Sequence, residues 1–238
     1  MPTQIKGQPT SAEVIARLRD EGRPVLLSFS CGKDSIAAWI ALEEAGVEVV
    51  PCYMYSVPPG TLRFVEDEIA YFSDFFGVRV RQYPHASYFR QLNESQLLAP
   101  DELSIVEAAQ MPTPTYAEIW QMIKMDLGMP QDTWVADGVR AADSIVRRAS
   151  FVRHGVMKAS SRKVSVIADW LKAEVMGAIE RRGVELPIDY ELFGRSFDGF
   201  DYRFLKPLRD HLPEDYARLL EIYPLAEADL WRHEHYAV

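Results

Sequence analysis

Apolar positions along the chain repeat with two periods, and the switching between them predicts most of the fold. Val14, Ile15 and Leu18 fall at helical spacing behind the capping-box pair Thr10 and Glu13, and Gly22 marks the end of that helix. Val25, Leu26, Leu27 and Phe29 then form a continuous apolar run after Pro24, the pattern of a buried strand. It stops at Ser30-Cys31-Gly32-Lys33-Asp34-Ser35. A helical pattern follows, with Ile36, Trp39 and Ile40 on one face and Gly46 placed to close it. Residues 47–55 read as a second strand in which Pro51 is expected to force a bulge or interruption. Thr61 is the expected N-cap of a helix carrying Leu62, Val65, Ile69, Phe72 and Phe76. Gly77 closes that helix, and residues 78–83 alternate as a third strand.

Residues 84–131 are less regular and read as an insertion over the end of the sheet, with a helix from Tyr116 to Leu127. His85, at the strand end, is expected to be structural rather than an acid or base. Thr133–Ala136 is a fourth strand and Val164–Ala168 a fifth, running into Asp169-Trp170 and a helix that ends near Gly183. Asp169 is expected to cap that last helix. Pro213 and Pro224 each stand where they can open a short helix. Strand–helix alternation without hairpin signals predicts an α/β fold, a parallel sheet covered on both faces. Residues 1–185 would form that domain, and residues 186–238 a helical extension packed on it.

The strand, tight turn and helix around Ser30–Ser35 have a chemical meaning. A helix start leaves backbone N–H groups without partners and carries partial positive charge, which suits a phosphate. Gly32 would let the backbone approach an anion, Ser30 and Ser35 offer hydroxyls, and Lys33 adds a full charge. Only Gly32 is present and Asp34 follows the lysine, so this is not the Gly-x-x-x-x-Gly-Lys-Ser/Thr loop. At the end of the fourth strand, Gly138 would give room, and Arg140 a two-pronged grip on phosphate oxygens. Ligands of open parallel sheets bind where strand order reverses, so neighbouring first and fourth strands would bring both segments to one crevice.

Composition narrows the choices. The chain has 238 residues and a hydrophobic fraction of 48%, enough for one α/β domain with a full core. No stretch approaches the roughly 20 apolar residues of a membrane span, and a cytoplasmic protein is expected. Two cysteines, Cys31 and Cys52, exclude a disulfide scaffold and a four-cysteine zinc site. A net charge of −9 argues against a general nucleic-acid binder. Yet Arg140, Arg147, Arg148, Arg153, Lys158, Arg162 and Lys163 crowd one stretch with Asp143 as their sole acid. Arg147, Arg148 and Arg153 lie too far along a helix to share phosphates with Arg140, so they would receive a second anion, a nucleic acid or an acidic partner. His233, Glu234 and His235 sit where successive helical side chains point apart, which disfavours a metal pair.

Ser30–Ser35 resembles the Ser-x-Gly-x-Asp-Ser signature of the PP-loop superfamily, which includes ATP pyrophosphatases and phosphoadenosine phosphosulfate (PAPS) reductases; that pattern usually has Gly where Cys31 stands. Gly138–Arg147 resembles the Gly-x-Arg-x-x-Glu/Gln-Ser-x-x-Arg block of the reductase-like members, with Asp143 at the Glu/Gln position. Asp169-Trp170 with Glu174-Val175 is a weaker echo, Leu171 replacing a usual Thr. The resemblance implies a five-stranded parallel sheet in the order 3-2-1-4-5. It also implies ATP with Mg²⁺ as the ligand, held by Ser28, Phe29, Ser30, Cys31, Gly32, Lys33, Asp34, Ser35, Gly138 and Arg140. Tyr53, Met54 and Tyr55 would lie where the family's adenine ring packs. Lys33 and Arg140 would stabilise the leaving pyrophosphate, and Asp34 is the candidate metal contact.

The family's reductases attack sulfur with a C-terminal cysteine thiolate, often beside an iron–sulfur cluster. No cysteine follows Cys52 here, so neither a cluster nor thiol-based reduction is expected. What the resemblance leaves is cleavage of ATP at the α-phosphate and adenylylation of an acceptor. A binding protein for an adenine nucleotide or sulfonucleotide is the alternative, and a true PAPS reductase the second.

Overall fold

The computed structural model describes residues 3–95, 97–194 and 199–236. Its strands are β1 (Val25–Phe29), β2 (Val49–Tyr55), β3 (Arg81–Pro84), β4 (Val135–Asp137), β5 (Met157–Lys158) and β6 (Lys163–Ser165). The helices are α1 (Ser11–Glu21), α2 (Lys33–Glu44), α3 (Arg63–Phe76), α4 (Ala86–Asn93), α5 (Leu103–Ala109) and α6 (Tyr116–Asp126). After them come α7 (Ile145–His154), α8 (Lys172–Arg182), α9 (Asp189–Leu192), α10 (Tyr202–His211), α11 (Pro213–Ile222) and α12 (Glu227–His235). Among the described residues the sheet has six strands in the order β3-β2-β1-β4-β6-β5. β1 runs parallel to β2 and β4, and β4 parallel to β6. The α/β reading therefore holds, with one correction to the expected 3-2-1-4-5 sheet: a short edge strand, β5, pairs antiparallel with β6. The expected strand at 164–168 ends at Ser165 because the chain turns there, Trp170 N–H bonding back to the Ile167 carbonyl at 3.0 Å.

Local signals account for much of this. Thr10 and Glu13 cap α1 reciprocally, and Gly22 leaves it in the left-handed region at φ +63°. Pro51 does not interrupt β2: the register runs unbroken from Val25↔Val49 to Phe29↔Tyr53. The Glu48 carbonyl accepts Val25 N–H at 2.9 Å, so alternation turns the Pro51 nitrogen away from β1, where its missing proton costs that ladder nothing. Thr61 does not cap α3. The buried Asp215 carboxylate does so from α11, accepting the N–H groups of Arg63 at 2.9 Å and Phe64 at 3.1 Å. Asp169 is likewise reassigned from α8 to α1, where its carboxylate accepts Ser11 N–H at 3.1 Å and the Ser11 hydroxyl.

The chain packs as two compact units. The first comprises residues 1–54, 72–81 and 120–186, the second residues 55–71, 82–119 and 187–238. The segment read as one insertion at 84–131 is thus divided between them, and residues 187–238 group with 55–71 and 82–119. The first unit holds 18 basic and 16 acidic residues, net +2; the second holds 8 and 19, net −11. In the first unit, Phe29 meets Trp39 and Phe72 edge-on at 5.2 Å each, and Trp39 stacks on Phe76 at 4.0 Å. Those rings fix β1 against α2, and so fix the turn between them. No helix of the described residues is long and apolar enough to cross a membrane.

Candidate functional site

The turn from β1 into α2 is built by its own serines. The buried Ser35 hydroxyl donates to the Gly32 carbonyl at 2.8 Å and accepts from Ser30 N–H at 3.2 Å and from the Ser30 hydroxyl at 3.3 Å. Ser35, which the sequence offers as a hydroxyl for an anion, donates its proton within the loop here. Gly32 is the N-cap of α2 and brings no side-chain cap to its first turn. It sits at φ −72°, open to any residue, so what it contributes is the absence of a side chain. The left-handed position is Cys31 at φ +56°, where the resembling family carries glycine. Its side chain is buried. Phe29 lends only backbone to the loop, since its ring is in the core.

The pairing of β1 with β4 puts the Gly138–Arg140 segment beside this turn. Gly138 makes room for the protein backbone: a Cβ there would lie 2.4 Å from the Asp34 carbonyl oxygen and 2.9 Å from Ser35 N. Arg140 is 94% buried, being 6% exposed. Its Nε lies 3.0 Å from Asp34 Oδ1, without the alignment of a hydrogen bond, and its NH2 donates to Asp143 Oδ1 at 2.7 Å. Lys33 Nζ reaches Asp34 Oδ2 at 2.9 Å, and Arg147 donates to Asp143 Oδ2 at 2.6 Å. Lys33, Asp34, Arg140, Asp143 and Arg147 thus form a chain of alternating charges with a net of +1. The guanidinium expected to grip phosphate is held by two carboxylates, and Asp34 bridges both cations.

Sequence reasoning treated Asp143 as a departure from a motif, but it organises the turn, also accepting Arg140 N–H at 3.1 Å. Its spacing to Arg140 and Arg147 was the available signal. Asp137, the last residue of β4, was missed altogether. Its Oδ1 accepts the Ser165 hydroxyl at 2.7 Å and Val139 N–H at 3.1 Å, and burial raises its pKa above the usual carboxylate range.

Ser28, Tyr53 and Met54 stand half-buried at the ends of β1 and β2 in the first unit. Tyr55 belongs to the second, where its ring meets Tyr88 edge-on at 5.6 Å. His85 caps α4, its Nδ1 accepting Ser87 N–H at 3.0 Å, while Nε2 meets the Tyr116 hydroxyl. Burial lowers its pKa below that of an ordinary histidine, with Arg90 adding to the shift. At α12, His233 stacks on Tyr202, Glu234 pairs with Arg209 and His235 stacks on Trp231, three separate directions.

Among the described residues no group of three His, Cys, Asp or Glu is placed to hold a metal. Asp34 alone suits Mg²⁺ as the ion is commonly bound, through one or two carboxylates plus the phosphates of a nucleotide.

No protein-family model matches the chain, and no curated protein does, so the PP-loop resemblance rests on the residues themselves. Among solved structures the chain is similar to an NH3-dependent NAD synthetase from Campylobacter jejuni in complex with the nitrate ion. The match has 11% identity over 94% of this chain and 93% of that one, with a TM-score of 0.45. That score does not establish a shared fold, and that identity carries no substrate across.

Proposed function

We propose that the chain binds ATP at the β1–α2 turn and transfers its adenylyl group to an acceptor, releasing pyrophosphate. The observation that carries this is the turn itself: a glycine N-cap without a side-chain cap, Lys33 beside it, and the Arg140 segment of the neighbouring strand packed on its first turn. A nucleophile of the acceptor would bond to the α-phosphorus as the bond to the bridging oxygen breaks; pyrophosphate takes that electron pair and the acceptor's proton passes to water. The work of this chain is to place the phosphates and to offset their developing charge. Lys33 and the first-turn N–H groups would meet the phosphates directly. Arg140 would act through Asp34, which it holds beside Lys33. Mg²⁺ carried by the nucleotide would neutralise phosphate charge, with Asp34 as its one protein ligand.

A second reading is a protein that holds the nucleotide without turnover. It is favoured by one feature: both cations meant for pyrophosphate already have Asp34 as a partner. Two measurements test these readings, the first for binding at the turn and the second for turnover. ATP with Mg²⁺ at a hundredfold excess over Kd should add about 2.7 kcal/mol of stability and raise Tm by several degrees. Lys33→Ala and Gly32→Val should abolish the rise while staying folded; parent-like responses in both would remove the turn from consideration. Pyrophosphate release from α-labelled ATP with candidate acceptors then distinguishes transfer from binding alone.

A further inference from the structure

We infer that α7 is a docking helix for an acidic helical segment of another protein, one whose apolar stripe is edged by Asp and Glu. Of the described residues of α7, Phe151 alone is buried. Ile145 is 88% exposed, Val146 78% and Val152 50%. Ile145, Ala149 and Val152 follow the i, i+4, i+7 spacing that elsewhere in this chain marks a packing face, and here that face points to solvent. At 100° per residue, Arg148 borders the stripe on one side and Arg153 on the other.

Charge and chemistry select the occupant. α7 carries Arg147, Arg148, Arg153 and His154 and no carboxylate, in a chain of net charge −9. Arg147 is engaged by the Asp143 carboxylate, and Arg148 donates to the Gln4 carbonyl at 3.4 Å without a carboxylate partner among the described residues; Arg148 and Arg153, both exposed, form the edges facing outward. Their complement is a row of carboxylates on either side of an apolar stripe, the arrangement of an acidic amphipathic helix. A nucleic acid fits less well. It offers phosphates to the arginines, but bases are held by stacking on aromatic rings, and Ile145, Val146 and Val152 supply none. Two-fold pairing with a second copy is opposed by charge, since it would set Arg148 and Arg153 against their own equivalents.

The experiment uses the full chain and two fluorescein-labelled helical peptides about three heptads long, each with a leucine stripe, edged by Glu in one and by Lys in the other. Anisotropy titrations should show the Glu peptide binding at least about tenfold tighter than the Lys peptide. Ile145→Ser with Val152→Ser should lose about tenfold for the Glu peptide. Arg148→Glu with Arg153→Glu should reverse the preference between the peptides. All these positions are exposed, so both double variants should keep the parental Tm and ATP response, which separates this inference from the nucleotide reading. Absence of binding, or equal binding of the two peptides, overturns it. So does an RNA or DNA oligonucleotide bound more tightly than either peptide, in a manner the arginine pair destroys and the serine pair spares. A sedimentation-detected dimer that the serine pair dissolves would assign the face to a second copy.

Discussion

Gly138→Ala tests how the site is assembled. The added Cβ would fall 2.4 Å from the Asp34 carbonyl oxygen, 2.6 Å from the Asp34 carbonyl carbon and 2.9 Å from Ser35 N. Ordinary C···O contacts begin near about 3.3 Å, so something must give by about 0.9 Å. All three atoms are backbone in the first turn of α2, which the Ser30, Gly32 and Ser35 bonds hold in place; no side chain can swing away. Overpacking of this kind costs about 1–3 kcal/mol, and the upper end applies because the obstacle is backbone. At this chain length about 3 kcal/mol corresponds to a fall in Tm of roughly 6–12 °C. The stabilisation by ATP with Mg²⁺ should shrink as well, since the turn that is pushed is the turn proposed to meet phosphate. Gly177→Ala is the control. Its Cβ would meet only the far end of Arg181 at 3.3 Å, and the residue lies inside α8. Removing a helical glycine there should stabilise by about 0.5–1 kcal/mol. Thermal and urea unfolding measure both. If Gly138→Ala matches the parent in stability and ATP response while Gly177→Ala gains, the packing of Gly138 on the turn is refuted.

Arg140→Ala should lose about 1–3 kcal/mol of folding stability, because Asp34 and Asp143 lose a buried partner while keeping Lys33 and Arg147; an unchanged urea midpoint would show that the ion pairs are idle. Cys31→Gly should be near neutral, relief of the left-handed φ offsetting the lost burial, whereas Cys31→Val should cost at least about 2 kcal/mol in the same unfolding assay. Burial pushes the Cys52 thiol from 9.0 up to about 12. The unfolded thiol then loses its proton first, so stability falls as pH rises through that window; Cys52→Ala should flatten the decline in a Tm series from pH 8 upward, as a slope equal to the parent's would deny. With PAPS and thioredoxin the protein should release no sulfite, and sulfite that disappears in Cys31→Ser would restore the reductase reading.

What the sequence by itself determined is what depends on near neighbours. The capping box of α1, the apolar run of β1, the turn into α2 and the left-handed glycines at Gly46, Gly77 and Gly183 were legible because each is set by residues within one or two turns. The candidate site was legible to the same extent: the sequence placed Lys33, Asp34 and Arg140 near one crevice because strand ends converge there. It did not show their bonding. That Arg140 meets Asp34 and Asp143, and that Gly138 clears space for the backbone of α2, follows from the parallel pairing of β1 with β4, which brings together segments about a hundred residues apart in the chain. The same holds for the helix caps that Asp215 and Asp169 supply across 152 and 158 residues, and for Pro51, harmless because pairing turns its nitrogen away from β1. Periodicity reports that a face such as Ile145, Ala149 and Val152 is apolar; only packing decides whether that face meets the core or is left to solvent.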